Sequence, residues 1–224
     1  MPPSKVHRYL TSFQHAGLVA QAGRSGKYDL GPGAVKLGLS ALAGYDFVNR
    51  ASEALPDLCA ESGLTVLLSV WGDQGATVIR WERAASPTVT SMGLGTTLPL
   101  LSSATGRAFL AWAPPAPMQA MRDTELRRVR QKPAIAPDLT PTGEGLEKLL
   151  RDIRGHGYAW VDGKFIPGLV AIAGPILDWQ GEAQSVVTLF GTDPAIIQPG
   201  SDAVGHLMAF CQAQSFAPLK PETA

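Results

Sequence analysis

Ser4–Lys5–Val6–His7–Arg8–Tyr9–Leu10–Thr11–Ser12–Phe13–Gln14–His15–Ala16–Gly17–Leu18 reads as a helix with two unlike sides. Val6, Leu10, Phe13 and Leu18 recur at helical spacing and make one side apolar. Lys5, His7, Arg8, Thr11, Ser12 and His15 fall largely elsewhere. Cations suit phosphate, and hydroxyls and imidazoles suit base edges, so this side has the chemistry of a DNA-reading helix. Ser4, after Pro2 and Pro3, is the expected N-cap, and phosphate could also approach the free N–H groups at that helix start. Gly17 stops the helix. An ordinary amphipathic surface helix would show the same periodicity, so the flanking sequence has to decide.

Leu18–Val19–Ala20–Gln21–Ala22 and Lys27–Tyr28–Asp29–Leu30 read as two short strands. Gly23–Arg24–Ser25–Gly26 between them has the glycines that a tight hairpin demands. A helix that runs into a basic-tipped hairpin is the second half of a winged helix-turn-helix. Arg24 and Lys27 then sit on the wing, within reach of DNA backbone or minor groove. Charge agrees with this reading. Residues 1–50 hold six Lys/Arg against two Asp, a net of +4, and the rest holds thirteen against seventeen, a net of −4. The overall balance of zero hides a basic head on an acidic body.

At 224 residues the chain allows one large or two small domains with a real core. A hydrophobic content of 45% with 17% charge is that of a globular protein. No apolar run approaches the roughly 20 residues that cross a bilayer, and no secretory signal is visible, so a cytoplasmic protein without membrane partners is expected. Cys59 and Cys211 stand far apart outside any Cys/His cluster and read as buried fillers. The four His are scattered, so no metal is expected.

Residues 34–62 read as two helices joined near Gly44–Tyr45, the first almost wholly apolar (Ala34, Val35, Leu37, Leu39, Ala41). A helix this apolar needs a cover, either a partner subunit or an ordinary buried helical hairpin. In the second, Pro56 is expected to make a kink or start a new turn. Strands are expected over Thr65–Trp71, Ala76–Arg83 and Thr88–Ser91, then near residues 157–161, 168–177 and 184–191, with Asp178–Gly181 turning the last pair. Helices are expected over Ser102–Trp112, through Arg130 after an introducing Pro114–Pro115–Ala116–Pro117, over Gly143–His156 and over Asp202–Phe216. Arg127, Arg128 and Arg130 make an exposed basic end that reads as a solvated face. Strands in two groups, with helices between them, indicate an antiparallel α+β fold.

Several pieces together resemble one family. Ser4–Leu10, the wing, and Tyr28–Asp29–Leu30–Gly31–Pro32 before a small-residue helix are similar to the bacterial IclR family of transcriptional regulators. So are Leu98–Pro99–Leu100 with Ser103–Ala104–Thr105–Gly106–Arg107–Ala108, and Gly157–Tyr158–Ala159. The run Gly168–Leu169–Val170–Ala171–Ile172–Ala173–Gly174–Pro175–Ile176, then Asp178 and Gly181, resembles the family's effector-domain signature. The resemblance extends from about residue 3 to about residue 215. It implies a partial winged helix-turn-helix over residues 1–33, a dimerising linker helix over 34–45, and a GAF-like effector domain over 46–217 with an antiparallel six-stranded sheet. Family members carry two further helices before the recognition helix, whereas this sequence opens with Met1–Pro2–Pro3. The departure is expected to reflect a start codon assigned late or a trimmed sequence, with lost DNA binding as the third alternative. The 224-residue chain alone is therefore expected to bind DNA poorly.

The resemblance also implies an effector pocket lined by Ala104, Thr105, Val161, Asp162, Ala171, Thr188 and Phe190. Strand alternation puts Thr188 and Phe190 on one sheet face and Val187 and Leu189 on the other. Free N–H groups at the Ser103–Gly106 helix start suit a carboxylate. Where relatives often carry an acidic residue and a cysteine, this sequence has Val161 and Ala171, and Phe190 stands where small hydroxylated residues are common. An apolar or aromatic effector with one polar end follows, the alternative being a filled apolar core. Trp71, Trp81, Met92 and Trp160 are candidate walls or plain core.

Catalysis finds no support, because no nucleophile has a local base and Gly93–Leu94–Gly95 is not in dinucleotide-binding order. The expected protein is a regulator that binds operator DNA through Ser4, Lys5, His7, Arg8, Thr11, Ser12, Arg24 and Lys27. It is expected to bind a small effector and to self-associate as dimer or tetramer, with no cofactor. The alternatives are an effector-binding module without DNA binding and, well behind it, an enzyme on the same fold.

Overall fold

A computed structural model describes residues 1–21, 23, 26–85, 92–163 and 166–219. The expected strand Thr88–Ser91 and the wing residue Arg24 lie outside the described residues. The chain divides into two units, Met1–Asp46 and Phe47–Ala224.

The first unit holds helix α1 (Pro3–His15), strands β1 (Val19–Gln21) and β2 (Tyr28–Leu30), and helix α2 (Pro32–Ala43). Helix α1 starts two residues earlier than an N-cap at Ser4 would set. Pro2 occupies the cap position without a side-chain hydrogen bond, and Pro3 leads the first turn. Proline there is pre-set for helical φ and forfeits only an N–H that has no intrahelical acceptor, so Ser4 is drawn into the helix. At the other end Gly17 turns left-handed at φ +68°. Its N–H donates to Gln14 O at 2.9 Å, and Leu18 N–H donates to Phe13 O at 2.8 Å, the bond pair of a Schellman closure.

Strands β1 and β2 pair antiparallel, Val19 opposite Leu30. Gly31 N–H donates to Leu18 O and Gly33 N–H to Gly17 O, both at 2.8 Å. A Cβ at position 31 would collide with the Gly17 carbonyl, so only glycine lets these two turns approach. The expected linker helix is α2, whose Val35, Leu37 and Leu39 are 62%, 62% and 59% exposed.

The second unit begins with α3 (Phe47–Ser62), β3 (Thr65–Gly72), β4 (Gly75–Glu82), β5 (Thr97–Leu98) and α4 (Ala104–Trp112). Helices α5 (Gln119–Gln131) and α6 (Gly143–His156) follow, then β6 (Ala159–Asp162), β7 (Val170–Leu177), β8 (Ala183–Gly191) and α7 (Asp202–Gln214). The six strands form one antiparallel sheet in the order β5-β4-β3-β8-β7-β6. Helices α3 and α7 cover one face, and α4, backed by α6, covers the other. Helix α3 runs on through Pro56. The proline is exposed, while Ala51, Leu55, Leu58 and Cys59 hold the opposite stripe in the core, which keeps the helix seated despite the missing N–H.

Two details fix α4, the helix that frames the site. Ser103 Oγ accepts from Gly106 N–H at 2.9 Å and ends the helix at Ala104, two residues inside the expected start. A Cβ on Gly106 would run into the backbone of Pro99 and Leu100, so the glycine permits the close approach of helix and preceding strand. At the β7–β8 turn, Asp178 Oδ1 accepts from the N–H groups of Gln180 and Glu182 at 2.8 and 3.0 Å. Both cysteines are buried and free. Among the described residues no helix is long and apolar enough to cross a membrane, and no group of three His, Cys, Asp or Glu could hold a metal.

Candidate functional site

Sheet register and one helix start build a cavity in the second unit. Thr188 lies opposite Leu67 on one side and Ala173 on the other, Phe190 opposite Ala171, and Ala171 opposite Val161. Partners across a ladder share a face, so these side chains all point toward α4. Alternation sends Val187 and Leu189 to the opposite face, and a Cβ on Gly174, which pairs with Val187, would touch Cys211 Sγ on α7.

Six of the seven expected effector residues line this cavity: Ala104, Thr105, Val161, Ala171, Thr188 and Phe190. Asp162 does not. It is exposed, because Val161 before it takes the inward position on β6. Of the four candidate aromatic or sulfur walls only Met92 reaches the cavity. Trp81 stacks edge-on behind Phe190 at 5.8 Å, Trp71 packs on Phe109 at 5.8 Å, and Trp160 packs on His156 at 5.1 Å. Ser103, Leu67, Leu98, Ile166 and Leu169 complete the lining, and no local pattern marks the last four. Leu67 follows from the β3–β8 register, which no local pattern fixes. Ile166 and Leu169 sit on a non-periodic loop.

The cavity is small, about 40 Å³, and nearly all apolar. Thr105 Oγ1 and Thr188 Oγ1 share a buried hydrogen bond of 2.7 Å, and Ser103 Oγ donates to Pro99 O. These hydroxyls satisfy protein partners first. The N–H of Gly106 bonds Ser103 Oγ and that of Arg107 bonds Ser103 O, so the first two N–H groups of α4, on Ala104 and Thr105, have no acceptor among the described residues. Those two donors, at the positive end of a helix dipole, are the cavity's open polar feature.

Behind the cavity Arg107, 1% exposed, ties three segments together. Its Nη1 and Nη2 donate to Asp138 at 2.7 and 2.8 Å, Nε donates to Leu101 O at 2.8 Å, and Nη1 also reaches Trp160 O at 3.1 Å. The guanidinium thereby fixes α4 against the strand that carries Val161.

In the first unit, Ser4, Lys5, His7, Arg8, Thr11 and Ser12 lie on α1, and Lys27 immediately precedes β2. Ser4, His7, Arg8, Thr11, Ser12 and His15 border one shallow concave surface. Thr11 Oγ1 donates to His7 O at 2.9 Å and Ser12 Oγ to Arg8 O at 3.1 Å. The hydroxyl protons are thus turned back on the helix, and their lone pairs remain free to accept. No residue of α1 is buried, and Val6, Tyr9 and Phe13 are 40%, 45% and 44% exposed.

Comparison with known proteins agrees with this architecture. The family described as "Bacterial transcriptional regulator IclR C-terminal" matches residues 39–207. The HTH-type transcriptional regulator BhcR of Paracoccus denitrificans is 28% identical over 191 residues, which is 85% of this chain and 67% of that protein. The transcriptional repressor IclR of Escherichia coli is 28% identical over 193 residues, 85% of this chain and 69% of its own length. The crystal structure of Pseudomonas aeruginosa HmgR superposes with a TM-score of 0.81 at 32% identity, covering 100% of this chain and 87% of that one. Sheet order, cavity and comparison converge: the chain belongs to the IclR family of bacterial transcriptional regulators.

Proposed function

We propose that this regulator is switched by a small, largely apolar or aromatic acid held in the cavity at the start of α4. The observation that carries the proposal is the pair of open N–H groups on Ala104 and Thr105 above apolar walls. They would take a carboxylate or carbonyl, while Phe190, Val161 and Ala171 take the body of the ligand. At about 40 Å³ the cavity is below the roughly 150 Å³ that accommodates benzene, so a ring enters by turning Phe190 or Met92 aside. A binder of the folded state raises the melting temperature, which makes a thermal-shift screen of aromatic and aliphatic acids the direct test. Phe190→Ser should weaken aromatic hits while the fold survives. Tighter binding of glyoxylate or pyruvate than of any aromatic acid would refute the apolar assignment.

The same reading gives the DNA-reading role to Ser4, Lys5, His7, Arg8, Thr11 and Ser12 on α1, with Arg24 and Lys27 on the wing, in an operator complex. Removing Arg8 from an operator-binding form should cost about 1–3 kcal/mol if it reads a base edge. Equal affinity of that variant for operator and random DNA, unchanged from the parent, would sink the role. The exposed Val35, Leu37 and Leu39 of α2 support self-association, as dimer or tetramer, through that helix. A monomeric mass by light scattering at micromolar concentration would contradict it. The absence of any buried residue on α1 favours a second reading, an effector-binding module without DNA affinity. A gel-shift assay with the family's two preceding helices restored ahead of α1 separates the two: a shift with operator supports the DNA-reading role, and none supports the module.

A further inference from the structure

We infer that the second unit carries another small-molecule site, at the opposite end of α4 from the first cavity, suited to a free α-amino acid with an aliphatic side chain. The inference does not depend on what occupies the first cavity. A cavity of about 200 Å³ lies between the C-terminal end of α4, the start of α5 and the inner side of α6, five times the volume at the helix start. Its floor is apolar, made by Leu110, Met118, Leu146 and Leu150, none more than 8% exposed. Its rim is charged, through Arg122, Glu147 and Arg154. On α6, Glu147, Leu150 and Arg154 fall at i, i+3 and i+7, so one helical stripe reads acid, apolar, base.

Hydrogen bonding decides which of those charges a ligand would meet. Arg122 is already engaged, with Nε and Nη2 donating to Asp123 Oδ1 at 3.0 and 2.9 Å. Arg154 uses only Nε, which donates to Ala111 O at 2.7 Å and closes the end of α4. Its two Nη groups have no partner among the described residues, and neither has the Glu147 carboxylate. The cavity therefore presents one unmatched guanidinium, one unmatched carboxylate and an apolar floor. A simple carboxylic acid would answer Arg154 and leave its charge near Glu147, and a simple amine would do the reverse. A zwitterion with an aliphatic tail answers all three features. The volume suits it, because 200 Å³ falls below the roughly 300–1,000 Å³ of sites for drug-sized ligands.

Calorimetric titration of the full chain with L-leucine, 4-methylpentanoate and 3-methylbutylamine tests the site. Leucine should bind about tenfold or more tighter than either analogue, the scale of one charge-assisted hydrogen bond. Glu147→Gln alters an exposed side chain that holds nothing else, so the fold is kept; it should erase the preference for leucine over 4-methylpentanoate. Arg154→Gln should erase the preference over 3-methylbutylamine. Ala171→Leu narrows the first cavity and should leave leucine binding unchanged. The proposal fails if leucine binds the native protein no tighter than 4-methylpentanoate, or if Glu147→Gln leaves the preference intact. It fails equally if Ala171→Leu, still folded by circular dichroism, removes leucine binding.

Discussion

Phe47–Ala224 and Met1–Asp46 hold their shapes by different means. The larger unit has a continuous core from Ala51 to Leu219, with both sheet faces covered. In the smaller unit Gly31 is the one buried position among the residues whose burial is described. Its order comes from backbone closure: the Schellman bonds after α1, the two-strand ladder, and the bonds from Gly31 and Gly33 back to Leu18 and Gly17. Each hydrogen bond contributes a net of about 0.5–1.5 kcal/mol, and a thirteen-residue helix is marginal by itself. Burial at about 25 cal/mol per Å² of apolar surface dominates the larger unit. The two regions should therefore fail for different reasons: the larger when volume or buried charge is disturbed, the smaller when a turn is.

The largest effect is expected at Asp138. Replacing it with alanine leaves the Arg107 guanidinium, 1% exposed, without its bidentate partner. Breaking a fully buried pair costs about 3–5 kcal/mol. Asp138 is itself 38% exposed and Arg107 keeps its bonds to Leu101 O and Trp160 O, so about 2–3 kcal/mol is expected. Urea unfolding followed by tryptophan fluorescence should show a loss of that size. A loss below about 1 kcal/mol would mean that water reaches Arg107 and that the core of this unit is looser than its burial implies.

That ion pair also marks where sequence stops being readable. Arg107 belongs to a recognisable run, but Asp138 lies thirty-one positions away on a turn with no periodicity to announce it. Long strands and helices were legible because apolar periodicity survives in one dimension: α6 spans Gly143–His156 as expected, β7 falls within its expected run, and β8 begins one residue before its own. The two-residue β5 is too short to carry a period. For the cavity, residues on motif segments and alternating strand positions were readable, as with Thr188 and Phe190. Leu67 and Leu98 arrive through cross-strand register, which depends on residues more than a hundred positions apart for β3 and β8. Ser4 misled because proline at the first turn outweighed a good capping side chain.

Next in size is Gly31→Ala. The added methyl meets the Gly17 carbonyl, a backbone atom that cannot swing aside. About 1–3 kcal/mol of strain is expected, local to the first unit. Hydrogen exchange should accelerate at Val19–Gln21 and Tyr28–Leu30, while the urea midpoint of the larger unit stays fixed. A shift of that midpoint would show that the two units unfold together.

A smaller effect separates the units by pH. Burial pushes the Cys211 thiol far up, and burial together with the nearby Glu82 carboxylate pushes Cys59 up as well. Above about pH 8.5 the unfolded thiols lose their protons while the folded ones keep them. The unfolded state then binds fewer protons than the native state, so stability falls as pH rises. The slope is at most about 1.4 kcal/mol per pH unit for each thiol. Between about pH 8.5 and 9.5 the Cys211 thiol should account for a loss of about 1 kcal/mol in the larger unit, with Cys59 adding in the same direction, and Cys211→Ala should flatten that slope. The smaller unit contains no cysteine, so its exchange protection should not follow this thiol slope.

The smallest effect is expected at Phe13, the largest apolar side chain of α1, 44% exposed. In the larger unit a buried aromatic such as Phe109, fully enclosed, should cost about 3–5 kcal/mol on truncation. Phe13→Ser removes comparable apolar surface from a helix with no buried residue. It should alter stability by no more than about 0.5 kcal/mol, as an ordinary surface change does. Its part in the helix closure is its carbonyl, which accepts from Leu18 N–H and is kept by the substitution. Comparing denaturation of Phe13→Ser with that of Phe109→Ala at matched concentration gives the contrast directly. If Phe13→Ser costs as much as about 2 kcal/mol in solution, the apolar side of α1 is covered there by another copy of the chain or by itself refolded, and the difference between the units is one of partners, not of intrinsic packing.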